Sequence, residues 1–151
     1  MTTPSDDGAI LAVEGVTDLG DHLEAVIRIT DPDSVRTRAF QGLSDAVLER
    51  LPGLRRHRCE SGSAHGIAAE LSDTELPHMV EHVALELMVL AGAPRSLRGQ
   101  TTWDFNVDGK GMFRVVIAHS DTEAGFSDAE LARRSLLEAA ALVEELSRVR
   151  R

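Results

Sequence analysis

"PHMVEHVALELMVLAG", Pro77–Gly92, is an apolar run that carries two histidines and two glutamates. Asp73 or Thr74 can cap its start, Pro77 is tolerated in a first turn, and Gly92 with Pro94 beyond closes the end, so Asp73 to Gly92 predicts a helix. Val80, Ala84, Leu87 and Ala91 share one face, while Leu85 and Val89 flank the histidines on the other. A helix apolar on both sides is expected to be buried nearly all round, and an unpartnered buried carboxylate is unfavourable by several kcal/mol. No lysine or arginine occurs between Arg58 and Arg95. A divalent cation is an economical partner for this edge; distant arginines can also fold back onto it, backbone carbonyls can satisfy the histidines, or the edge can stand in water.

His78 and His82 are one turn apart in such a helix, and Glu81 lies beside both. This is the H-x-x-E-H arrangement of inverted zincins, in which two imidazoles hold zinc and the glutamate takes a proton from water. Zinc brings the pKa of a bound water down to roughly 7, which makes a nucleophile available at neutral pH. The spacing therefore nominates His78 and His82 as metal ligands, Glu81 as catalytic base and zinc as cofactor. Glu86, one turn after His82, can ligate or orient a histidine, or stand in solvent.

A catalytic zinc takes three protein ligands as a rule. His65, His119, Glu123, Glu130 and Cys59 are further candidates for the third. His119, ending a predicted strand, and Glu123, just after it, are the better placed of these. Glu130 is expected to cap a helix and Cys59 to fill space as a small apolar group. His22 and His57, in turn-like and basic segments, are expected at the surface.

Outward from this helix, "AILAVEGV" and "HLEAVIRI" read as strands joined by the turn "TDLGD". A helix follows "DPDS", with Ala39, Leu43, Ala46, Val47 and Leu51 at helical spacing up to Pro52-Gly53. "RHRCESGSAHGIAAELS" reads as a short strand or two. "TTWDFNV" and "GMFRVVIAH" read as a hairpin around "DGKG". The last segment, from Ser127, is a helix with Ser127 and Glu130 at capping-box spacing. The pattern is α+β: one domain over residues 9–151, a mainly antiparallel sheet with about three helices on one face, after a disordered tail, 1–8.

Of the 151 residues 42% are hydrophobic and 27% charged, and the formal net charge is −9. That balance opposes nucleic-acid binding, which needs a basic footprint. The single cysteine, the lack of a signal-peptide pattern and the lack of a bilayer-length apolar run point to a cytoplasmic protein without a membrane partner. No phosphate loop is present, so nucleotide use is not expected.

"LPGLRRHRCESG" (Leu51–Gly62), "LPHMVEHVALELMVLAG" (Leu76–Gly92) and "GMFRVVIAH" (Gly111–His119), followed by a terminal amphipathic helix, resemble the N-terminal domain of cyanophycin synthetases. The likeness runs roughly from Ala39 to Leu146. Cyanophycin is a polyaspartate chain bearing arginine on its side chains. The resemblance implies a domain that holds this polymer and, in some members, cuts it with a metal at the H-x-x-E-H helix. Carried over, it implies His78 and His82 as ligands and Glu81 as base. The synthetase's ATP-grasp and Mur-ligase-like parts have no counterpart here, so a free-standing relative is expected. The expected activity is zinc-dependent hydrolysis of an amide bond in a peptide-like or cyanophycin-like polymer, with an arginine-bearing polymer as first substrate and a homo-oligomer as one assembly. The alternative is a non-catalytic polymer- or protein-binding scaffold. A third reading is a metal-dependent lyase or isomerase.

Overall fold

The computed structural model describes residues 9–57 and 66–150. Two antiparallel strands open the chain, β1 (Leu11–Asp18) and β2 (His22–Ile29). Along β2 every second residue is buried, as a sheet with one covered face requires. After short 3-10 turns come α1 (Leu43–Arg50), a further 3-10 turn at Pro52–Arg56, α2 (Ile67–Ser72) and α3 (Leu76–Leu90). The chain then forms β3 (Gly99–Thr102), α4 (Phe105–Asp108), β4 (Met112–Ala118), the small pair β5 (Ser120–Asp121) and β6 (Phe126–Ser127), and α5 (Ala129–Arg148).

The main sheet runs β1-β2-β4-β3, with all neighbours antiparallel. Its inner face presents Leu23, Ala25, Ile27 and Ile29 from β2 and Phe113, Val115 and Ile117 from β4, all buried. α5 covers the β1–β2 half and α3 the β3–β4 half, and the two helices pack on each other. Burial of their apolar stripes against this face is the main stabilising contribution. The opposite face carries half-buried Glu24, Val26, Arg114 and Val116, among which Arg114 Nη1 donates to Glu24 Oε1 at 3.0 Å. The α+β expectation, with helices on one face, holds for the described residues. No helix there is long and apolar enough to cross a membrane.

Several local expectations are corrected. Five helices are present among the described residues instead of about three, because two short ones replace predicted strands. Residues 67–72 form α2, where Ile67 and Leu71, one turn apart, are both buried; the "CESGSAH" part of that prediction lies outside the described residues. "TTWDFNV" ends as a strand at Thr102, since Asp104 Oδ1 accepts from the amides of Asn106 and Val107 and starts α4. α1 begins only at Leu43, after Gly42 at φ +77°. Asp128, not Ser127, caps α5, accepting from Leu131 N. Neither Asp73 nor Thr74 caps α3: the residue before it is Glu75, and Leu76 N donates to Val35 O at 2.7 Å. The tail 1–8 also lies outside the described residues.

Candidate metal centre

α3 packs against β3 and β4 on one side and touches the Pro52–Arg56 turn on another. Both approaches are closer than a side chain would allow. A Cβ at Gly99 would stand 2.7 Å from Glu81 Cγ, and one at Gly53 would stand 1.9 Å from Glu86 Oε2. Between these walls lies a cleft of about 480 Å³, lined by His57, Glu75, His78, Glu81, Arg95 and Trp103 among others.

His78 and His82 turn toward one another across a single helical turn, with their Nε2 atoms 3.1 Å apart. Glu81 Oε2 lies 3.8 Å from His82 Nε2, and the three residues offer one ligand atom each within 4.8 Å of one another. Thr101 Oγ1, on β3, donates to Glu81 Oε1 at 2.7 Å. That bond leaves Oε2 as the carboxylate oxygen turned to the imidazoles. Glu81 and His82 are each 4% exposed, while His78 is half-buried at the cleft. Its Nδ1 lies 2.9 Å from Thr74 Oγ1, so the threonine expected to cap the helix faces the site instead.

The surface position expected for His57 is overturned. Its ring is largely buried: Nδ1 lies 3.0 Å from His82 Nδ1, and Nε2 lies 3.0 Å from Glu86 Oε1. Glu86, 1% exposed, also accepts from Arg95 Nη1 at 3.1 Å and Nη2 at 3.4 Å. An arginine just past the helix end therefore folds back onto Glu86, and Glu86 stands behind the cluster, bound to His57 and Arg95. Sequence spacing gave no hint of His57, which sits among basic residues far from the motif. The usable signal was Leu54 in "LPGLRRH", an apolar residue, fully buried here, that docks the turn on the core.

Burial lowers the pKa of all three imidazoles. His82 is pushed down to about 3, first by desolvation and then by its His78 and His57 neighbours. For His57 desolvation outweighs the opposing pull of Glu86, and for His78 it outweighs Glu70 and Glu75. At neutral pH the three rings are uncharged, the form that ligates a metal.

Among the described residues, the others nominated as third ligand, His119, Glu123 and Glu130, are not in this cluster. His119 is buried but paired through Nε2 with Asp18 Oδ1 at 2.9 Å. Glu123 and Glu130 are exposed, in a turn and in the first turn of α5. His22 pairs with Asp21. His65 and Cys59 lie outside the described residues.

Residues 24–141 match the cyanophycin synthase-like N-terminal domain family. The chain is similar to the cyanophycin synthetase of Trichormus variabilis, 36% identical over 85 residues, which is 56% of this chain and 9% of that protein. To the cyanophycin synthetase of Synechocystis it is 32% identical over 90 residues, 59% of this chain and 10% of the other. The alignments thus span about a tenth of each synthetase.

Proposed function

The chain belongs to the cyanophycin synthase-like N-terminal domain family, and on that premise we propose that its cleft is a zinc-dependent hydrolytic site for an amide bond in a peptide-like or arginine-bearing polymer. The observation that carries this reading is the convergence of two imidazole Nε2 atoms, 3.1 Å apart, beside a carboxylate on the same turn. Nitrogen and carboxylate donors of this kind suit zinc, so the residues fit the ion: His78 and His82 would hold it. When bound, zinc supplies Lewis acidity that is available at neutral pH. Glu81 is the base: Thr101 engages Oε1, and Oε2, turned toward the imidazoles, takes a proton from water. Thr101 orients it, and the buried face of α3, on which Glu81 itself is buried, limits bulk water around it. Trp103, Arg56 and Arg98 border the cleft where a polymer chain would lie.

A second reading is a non-catalytic module that holds a polymer or protein partner. The small share of the synthetases that aligns with this chain favours it, since a domain of that proportion can serve a larger catalyst.

Metal analysis and incubation with cyanophycin and generic peptides test both. The hydrolase reading expects about one zinc per chain, lost in His78→Ala/His82→Ala, and cleavage abolished in Glu81→Gln while binding persists. Binding without cleavage by the zinc-loaded wild type supports the holding module. Failure to take up zinc overturns the metal site.

A further inference from the structure

We propose that His57 is a positioning residue that fixes the proton of His82 on Nδ1, so that His82 Nε2 presents a lone pair toward His78. The purpose assigned to this rests on the cation-site reading above; the proton placement does not.

The argument starts at Glu86. A carboxylate held by the two Arg95 donors has only acceptors to offer. His57 Nε2, 3.0 Å away, must therefore donate. A neutral imidazole has one N–H, so His57 Nδ1 is left as an acceptor. His82 Nδ1, 3.0 Å from it, must then carry the hydrogen, and His82 Nε2 is left with its lone pair. Each bond in the chain from Arg95 through Glu86 and His57 to His82 determines the next.

The relay is also sterically provided for. The turn carrying His57 has glycine at position 53, and any Cβ there would overlap Glu86 Oε2. His78 is treated differently. Its Nδ1 faces a hydroxyl, Thr74 Oγ1, which also lies 3.1 Å from Glu75 Oε1. That hydroxyl can donate to His78 Nδ1 while His78 Nε2 donates to His82. It can also rotate to donate to Glu75 and accept from His78 Nδ1, which puts the His78 proton on Nδ1 and points both Nε2 lone pairs toward one cation. His82 is thus held in one tautomer while His78 can take either. Outer hydrogen-bond partners of ligating histidines serve this orienting purpose generally.

The test is nitrogen-15 NMR of histidine-labelled, metal-free full chain, in which two-bond proton–nitrogen correlations distinguish the tautomers. Wild-type His82 is expected in the Nδ1–H form. His57→Ala should populate the Nε2–H form and weaken zinc binding about 10- to 100-fold. His57→Gln, which keeps an acceptor and a donor, should restore the Nδ1–H form. Wild-type His82 in the Nε2–H form or in a mixture overturns the proposal, as does an unchanged tautomer in His57→Ala. If His57→Ala does not fold, the wild-type and His57→Gln spectra decide: Nδ1–H in both supports the relay, and anything else rejects it. Correct tautomers with no zinc uptake would leave the relay standing and remove the metal reading alone.

Discussion

Gly99 lies directly against Glu81: a Cβ at position 99 would meet Glu81 Cγ at 2.7 Å and Cδ and Oε2 at 3.0 Å. Two residues along the same strand, Thr101 donates to Glu81 Oε1. One edge strand therefore both makes room for the base and orients it.

Gly99→Ala should push Glu81 out of register with the imidazoles while leaving the core intact. If the site is hydrolytic, a displacement approaching 1 Å lowers turnover by about 10²-fold. The measurement is cleavage rate alongside the thermal midpoint. Unchanged cleavage in a folded variant would show that the position of Glu81 is not critical.

Thr101→Val keeps the shape of the side chain and removes the donor to a buried carboxylate. The expected loss is about 1–3 kcal/mol, because the acceptor stays buried with one partner fewer. Urea titration of wild type and variant reads it; an unchanged midpoint would mean that solvent or another donor replaces Thr101.

Arg95→Ala leaves Glu86, 1% exposed, with His57 as its remaining side-chain partner among the described residues, at Oε1. Arg95 itself reaches solvent, so the penalty is smaller than for a fully buried pair, on the order of 2 kcal/mol. A double-mutant cycle with Glu86→Gln should show strong coupling between the two positions. Additive effects would argue against the ion pair.

Acid should destabilise the metal-free protein through its imidazoles. The folded state holds His82 at about 3 against an ordinary value of 6.5, and His57 and His78 shift in the same direction. Between those values the unfolded chain binds more protons, so stability rises with pH. Stability is full above about 6.5 and declines as pH falls through the window toward 3. His82→Gln should flatten that slope. Urea midpoints across this range check it, and equal slopes in both proteins would refute it.

Glu144 joins the last helix to the first strand: its Oε1 accepts from Ile10 N at 2.8 Å and Leu11 N at 2.9 Å. Glu144→Ala should lower stability by about 1–2 kcal/mol and speed amide exchange at the start of β1. Exchange that stays as slow as in wild type would show that the strand needs no such anchor.

Periodicity by itself determined the main architecture. Period-two alternation over His22–Ile29 and helical spacing over Leu76–Leu90 and Ala129–Arg148 identify the elements that bury most apolar surface, because burial selects the pattern. The i, i+4 spacing of His78 and His82 likewise settled their meeting, since helix geometry fixes it locally. Short elements were not legible in this way. α2 and α4 hold too few residues for a period to emerge, and α4 depends on one Asp104 cap. What only the tertiary structure decided is the company of the motif. His57 reaches His82 from 25 positions away, Arg95 returns to Glu86, and Thr101 meets Glu81 across 20 residues. These contacts arise from packing a turn and an edge strand onto α3, an event between distant segments that local spacing does not encode.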